Sequence, residues 1–196
     1  MVSPYTMLID LNSCSGCHAC SVACKAEHRA PTENFRHTVQ YIESGTFPNV
    51  KRAFIPTLCQ HCEDAPCLDA CPTNAIFQKK DGSVLIDKDR CIGAGICEDA
   101  CPYGAIYVNP ESGIADKCDF CESRVKEGEL PACSATCPTD AILFGHEDDF
   151  KIKKALEIGG YTQWDPEATK PRVWYKGLNQ DSKRNLKRIN LSQEDQ

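Results

Sequence analysis

The spacing of cysteines constrains this chain more than any other feature. Fifteen of them fall into four groups. Cys14, Cys17, Cys20 and Cys24 read C-x2-C-x2-C-x3-C, and Cys59, Cys62, Cys67 and Cys71 read C-x2-C-x4-C-x3-C. Cys91, Cys97 and Cys101 form the third group, and Cys118, Cys121, Cys133 and Cys137 the fourth. The last three groups each close on Cys-Pro, at Pro72, Pro102 and Pro138. Disulfides are a poor use for this set. The count is odd, and the opening Met1 to Asp10 has no basic or twin-arginine leader. The reading is of a chain with no export address of its own and no membrane anchor, and thiols this dense would scramble in an oxidising compartment.

Metal is the remaining use. Zinc sites draw on separated C-x2-C pairs, each giving two corners of a tetrahedron. The tight triple Cys14, Cys17, Cys20 with Cys24 close behind suits the corners of an iron–sulfur cubane better. In the bacterial ferredoxin run three cysteines wrap one cluster, and the fourth, before proline, ligates the other cluster of a pair. A zinc-bound structural module is kept as the reading of a different class.

The closing element is an internal repeat. Cys71-Pro72-Thr73-Asn74-Ala75-Ile76 recurs as Cys101-Pro102-Tyr103-Gly104-Ala105-Ile106 and as Cys137-Pro138-Thr139-Asp140-Ala141-Ile142. The proline stops a helical turn and Ala-Ile opens a short strand. Asp81-Gly82 marks a hairpin turn after the first copy, and Asn109-Pro110 with Ser112-Gly113 a reversal after the second. Small two-stranded sheets packed on cluster loops make an α+β fold of two ferredoxin-like units. Groups two and three lie close enough to form one unit, so groups one and four must pair across it. The expected layout is a split unit at 1–50 and 114–147, an inserted unit at 51–113, and a C-terminal extension at 148–196.

Composition agrees. The hydrophobic fraction of 41% counts the cysteines, and without them the core is thin, so metal must supply folding energy. A net charge of -6, before any cluster adds its own, argues against nucleic acid as a partner. No nucleotide loop, nucleophile elbow or zinc-protease motif is present. The chain reads as a non-catalytic part of an oxidoreductase, with no active site of its own.

The third group lacks one cysteine. In Cys91-Ile92-Gly93-Ala94-Gly95-Ile96-Cys97, ferredoxin spacing calls for a thiol where Ala94 stands. A cubane with one unligated corner can lose that iron and become a 3Fe–4S cluster, whose potential is usually higher. Two other readings stay open. Water or a carboxylate such as Glu98 or Asp99 could hold a labile fourth iron, or alanine could have been introduced in place of a natural cysteine.

Several further motifs carry a resemblance. They are Met7-Leu8-Ile9-Asp10, Cys24-Lys25-Ala26-Glu27, Gly45-Thr46-Phe47-Pro48-Asn49-Val50 and Cys59-Gln60-His61-Cys62, with Cys67-Leu68-Asp69-Ala70-Cys71-Pro72, Lys117-Cys118-Asp119-Phe120-Cys121 and Pro131-Ala132-Cys133. Over residues 5–146 the chain resembles the iron–sulfur electron-transfer (beta) subunit of molybdopterin oxidoreductases of the dimethyl-sulfoxide-reductase family. The resemblance implies a ligand map. Cluster 1 takes Cys14, Cys17, Cys20 and Cys137; cluster 2 takes Cys24, Cys118, Cys121 and Cys133. Cluster 3 takes Cys59, Cys62, Cys67 and Cys101; cluster 4 takes Cys71, Cys91 and Cys97, with its open corner at Ala94. That makes three 4Fe–4S clusters and one 3Fe–4S cluster, or a labile 4Fe–4S in its place. Similar subunits of nitrate reductases replace the same cysteine and carry a 3Fe–4S cluster.

The resemblance also implies partners in complexes of anaerobic respiration. Cluster 1 would face a large catalytic subunit with a bis-pterin molybdenum or tungsten centre. Cluster 4 would exchange electrons with an integral membrane quinone- or haem-binding subunit, or with a soluble carrier. The complex would sit on the cytoplasmic membrane, at its periplasmic face by co-export with the partner, or alternatively in the cytoplasm. The competing electron-transfer reading is a polyferredoxin subunit of a hydrogenase, formate hydrogenlyase or carbon monoxide dehydrogenase system.

His18 and His61, inside cluster loops, are expected to pack or hydrogen-bond around the ligands rather than bind iron. His28, His37 and His146 have no partner spacing and read as surface residues. Lys25 and Lys117, each beside a cysteine, are either field sources for a cluster or ordinary solvated lysines. After residue 147, Trp164, Val173, Trp174 and Tyr175 are the large apolar anchors of an arm expected to contact a partner, and the last ten or so residues are expected to be disordered.

Overall fold

The computed structural model describes residues 2–164 and 166–186. The expected disordered end lies outside them. The chain opens on β1 (Tyr5–Asp10), an apolar strand buried on both faces. Helix α1 (Ala19–His28) follows, bounded by left-handed residues His18 and Arg29. Cys20 and Cys24, four residues apart, share its buried face. β2 (His37–Ser44) and β3 (Lys51–Leu58) form an antiparallel hairpin in which His37 faces Leu58 and Gln40 faces Ile55.

The cysteine repeat then folds as its sequence indicates. Short helix α2 (Pro66–Asp69) has proline in its first turn. β4 (Ile76–Gln78) returns through Asp81-Gly82 into β5 (Val84–Ile86), with Ile76 opposite Ile86. α3 (Ile96–Ala100) and the hairpin of β6 (Ile106–Val108) with β7 (Ala115–Lys117) repeat the unit. Each Cys-Pro corner places its fourth residue in the left-handed region: Asn74 at φ 49°, Gly104 at φ 58° and Asp140 at φ 51°. Those are the residue types that enter it at least cost. At two corners the turn aims the next amide at the cysteine, Ala75 N–H donating to Cys71 Sγ at 3.2 Å and Ala105 N–H to Cys101 Sγ at 3.4 Å.

Helices α4 (Glu122–Lys126) and α5 (Ala132–Ala135) carry the fourth group onward into β8 (Ile142–His146). Then come α6 (Phe150–Ile158), β9 (Tyr161–Gln163), α7 (Pro166–Thr169), β10 (Val173–Lys176) and α8 (Gln180–Asn185). Among the described residues the largest sheet runs β8-β1-β10-β9. β1 is antiparallel to β8, with Ile9 facing Ile142, and parallel to β10, with Met7 facing Val173 and Ile9 facing Tyr175.

The C-terminal segment therefore does more than extend from the surface. Val173 and Tyr175 are fully buried beside Met7, Leu8 and Ile9. Tyr175 accepts from Gln60 Nε2 at 3.1 Å, and Arg172 N–H donates to Gln60 O at 2.8 Å. Strand β10 thus braces the loop that carries the second cysteine group.

Candidate metal centres

No disulfide joins any of the fifteen cysteines, all of which lie among the described residues, and the fold gathers them across the sequence groups. One cavity is lined by Cys59, Cys62, Cys67 and Cys101. Another is lined by Cys71, Cys91, Cys97 and Ala94. In each the last cysteine of one group joins residues of the other. The cause is the packing of α2 against α3: Cys67 and Cys97 lie within these helices, while Cys71 and Cys101 stand just past their ends.

Electrostatics trace the other two sets. Burial raises the Cys14 thiol, with Cys137 and Cys17 adding to it. Burial carries Cys20 up to about 11, again with Cys14 and Cys137 beside it. Cys24 rises to about 12 through burial and then through Cys121. Cys118 and Cys133 stand well above the usual thiol range, first through burial, and both feel Cys24 and Cys121. Helix α1 packs on α5, which brings Cys20 and Cys24 to Cys133. Two thiols also look across sets, Cys118 toward Cys59 and Cys133 toward Cys20.

The donors fit an iron–sulfur group. Thiols raised to about 12, as Cys62 and Cys67 also are, stay protonated at neutral pH unless a metal displaces the proton. Soft thiolates in fours, with peptide N–H groups aimed at sulfur, suit iron–sulfur centres. Ala115 N–H adds another such bond, to Cys91 Sγ at 3.4 Å. Burial is graded along the sets. All eight cysteines of the second and third are buried, while Cys14, Cys137, Cys71 and Cys91 are half-buried and Cys17 is exposed.

Ala94 stands between Gly93 at φ +66° and Gly95 at φ +76°. A Cβ on Gly93 would lie 1.9 Å from Gly113 O, so only glycine lets this loop close against the neighbouring turn.

Two histidine readings need correction. His28 is not a surface residue: its side chain is 10% exposed, and Nε2 lies 3.2 Å from Cys121 Sγ. Burial, then Arg36, lowers its pKa, so at neutral pH the ring is uncharged and can donate Nε2–H to sulfur. His37 is also buried, 1% exposed, and burial holds its pKa at about 4. The expectation for His61 fits, since its ring stacks on Phe120 at 3.5 Å and Nδ1 accepts from Val84 N–H at 3.0 Å. His18 stands edge-on to Tyr41 at 5.3 Å. His146 stacks on Tyr5 at 4.0 Å, partly buried.

The two lysines differ. Lys25 donates to Pro31 O and Thr32 O and lies over the Phe35 ring. Lys117 is buried, 3% exposed. Sequence reasoning missed Arg36 altogether. Its Nε and Nη2 donate to the two Asp116 oxygens at 2.9 and 2.5 Å, and Nη1 sits 3.2 Å from Asp119 Oδ2. Tyr107 O–H donates to Asp116 Oδ2 at 2.6 Å. No local pattern marks that arginine, because its partners lie in a distant segment.

Among the described residues no helix is long and apolar enough to cross a membrane. Residues 50–147 match the family model of the 4Fe-4S dicluster domain. The thiosulfate reductase electron transfer subunit PhsB of Salmonella typhi is 43% identical over 79% of this chain and 82% of its own length. The B component of tetrathionate reductase from Salmonella typhimurium is 39% identical over 89% of this chain and 73% of its own. The B component of sulfite dehydrogenase from Allochromatium vinosum is 38% identical over 86% and 81%.

Proposed function

Because the chain belongs to the iron–sulfur subunits of the dimethyl-sulfoxide-reductase family, we propose that it relays electrons through four clusters between a molybdopterin catalytic subunit and a second redox partner. The ligands are Cys14, Cys17, Cys20 and Cys137; Cys24, Cys118, Cys121 and Cys133; Cys59, Cys62, Cys67 and Cys101; and Cys71, Cys91 and Cys97. The observation that carries the reading is the crossed grouping of thiols, in which each pair of sequence groups exchanges its last cysteine. The Cys133–Cys20 and Cys118–Cys59 approaches support a linear order from the first set to the fourth. The pairing of β1 with β8 around the residues between them supports one ferredoxin-like unit inserted in another.

Clusters of this kind, when bound, supply one-electron redox chemistry. The chain's own residues supply the setting. Buried walls keep water from the two inner sets, and peptide N–H groups and the His28 ring aim at ligand sulfurs, which sets potential. The half-buried outer sets give electrons an entrance and an exit. Exposed apolar residues stand beside both, Val22 at 66% near the first and Ile92 at 67% and Ile96 at 48% around the fourth, and such positions suit docking partners. The membrane-side partner, a quinone- or haem-binding subunit or a soluble carrier, belongs at the fourth set. The complex is placed at the periplasmic face of the cytoplasmic membrane by co-export with the catalytic partner, the cytoplasm being the alternative. Ala94 leaves the fourth set one ligand short, so a 3Fe–4S cluster occupies it.

The test is electron paramagnetic resonance on anaerobically purified protein, mildly oxidised, with iron counted on the same sample. One sharp oxidised signal near one spin per chain with about 15 irons is expected. A silent oxidised sample with about 16 irons would mean that a non-cysteine ligand completes the fourth cluster. A colourless protein with stoichiometric zinc would overturn the whole reading. Co-purification with a molybdopterin protein tests the partner.

A further inference from the structure

Lys117 ends β7, immediately before Cys118, and is 3% exposed. Its ammonium donates to the carbonyls of Val84 and Cys118, the latter at 2.9 Å. Among the described residues no carboxylate lies within ion-pair distance of it. Asp116 and Asp119, on either side of it in sequence, pair instead with Arg36, at 2.5 and 3.2 Å. Two neutral carbonyls do not compensate an ammonium removed from water, and an unpaired buried charge is strongly disfavoured.

The two carbonyls place the ammonium between cysteine sets: Val84 lines the cavity of Cys59, Cys62, Cys67 and Cys101, and Cys118 is itself a cysteine of the second set. Cys59 and Cys67 belong to the third ligand set proposed above and Cys118 to the second. The lysine therefore sits at the junction of the two inner sets, and β7 fixes it there by pairing Lys117 with Ile106.

We infer that Lys117 is a positioning residue for charge, the fixed counter-ion shared by the two inner clusters. It raises both of their potentials and keeps them close to one another in the middle of the relay. The inference rests on the ligand sets proposed above. A positive charge near a cluster favours the reduced, more negative form, and potential follows net charge and burial. A charge serving one cluster alone would separate the two potentials and make the middle step uphill in one direction. A shared one moves them together.

The experiment is a redox titration of the full chain, purified anaerobically with its clusters and followed by electron paramagnetic resonance, for the parent and for Lys117→Met, Lys117→Gln and Lys117→Arg. Glutamine keeps a donor for the Val84 and Cys118 carbonyls but has no charge. In the Met and Gln variants two of the four midpoint potentials should fall, each by about a tenfold change in the oxidised-to-reduced ratio, about 59 mV for one electron. The other two should stay, and Arg should restore the parent values. Four retained clusters with no shift, or a shift of one alone, would overturn the inference and leave the ligand sets standing. If Met and Gln lose the two inner clusters while Arg keeps them, the charge is again their counter-ion. If Arg loses them too, shape rather than charge is the cause and the inference fails. A parent with fewer than four clusters would sink the ligand sets themselves, and iron and labile sulfide counts reveal that before any variant is made.

Discussion

Replacing Arg36 by methionine tests how the N-terminal segment is held to the loop of the fourth cysteine group. The guanidinium side chain is 6% exposed and makes a bidentate pair with Asp116 plus a third contact to Asp119. Methionine fills similar space and leaves two carboxylates without their cation. Breaking a buried ion pair from one side costs about 3–5 kcal/mol. Asp116 is 14% exposed, but Asp119 is 32% exposed and can rehydrate, so the lower end, about 3 kcal/mol, is the better figure. At 1.36 kcal/mol per decade this is roughly a 10²-fold rise in local opening. The assay is the rate of iron release to a chelator in dilute urea under argon, read as loss of visible absorbance. Despite burial, Arg36 holds Asp119 below the usual carboxylate range, with Lys117 adding to it. That contribution is fully present above the unfolded carboxylate value near ~3.9 and is lost as pH falls through the lower folded value. The parent and variant rates should therefore converge in strong acid. A variant within about threefold of the parent at neutral pH would place the pair with surface salt bridges, worth about 0–1 kcal/mol, and refute the clamp.

Three further outcomes follow from the same geometry. Ala94→Cys adds a thiol to the wall holding Cys71, Cys91 and Cys97; iron should rise from about 15 to about 16 with loss of the oxidised signal, and a persisting signal beside a freely reactive extra thiol would count against the ligand set. Gly93→Ala forces a Cβ into Gly113 O and a left-handed φ worth about 1–3 kcal/mol of strain; it should cost the protein that one cluster, about 3 irons, so a full iron count would contradict the packing. His37, buried and neutral with a folded pKa of about 4, favours the fold fully above its unfolded value near ~6.5 and loses that contribution as pH falls toward the folded value, about 3 kcal/mol in all. His37→Phe should shift acid bleaching to lower pH, and an unmoved acid midpoint would show that other groups set it.

What was legible in the sequence was local. Asn74, Gly104 and Asp140 each sit where a left-handed turn must follow Cys-Pro, and Asp81-Gly82 turns β4 into β5, so the short hairpins announced themselves within a few residues. Ligand spacing is itself a local pattern and marked the four cysteine groups, while the crossed sets came from the family likeness. The β2–β3 hairpin has no tight turn dipeptide; it reverses through Gly45 to Val50, a stretch that carried family likeness but no strand signal. The place of β10 was hidden for another reason. Val173-Trp174-Tyr175 looks like any aromatic strand, and nothing nearby says that its partner is Met7 to Ile9 at the other end of the chain. The same distance hid the burial of His28 and Arg36, whose surroundings come from the 116–121 segment.

The position of β1 between β8 and β10 has a consequence for biosynthesis. This strand, made before every cysteine, is paired on both sides by strands that emerge after every cysteine has been made. Contacts this distant in sequence form slowly, because the intervening loop must close first. The thiols from Cys59 to Cys101 need no such wait, while Cys14, Cys17 and Cys20 cannot meet Cys137 until translation has passed it. Cluster loading should therefore run from the middle of the chain outward, and truncated chains ending near residue 130 should retain iron at the third and fourth sets alone.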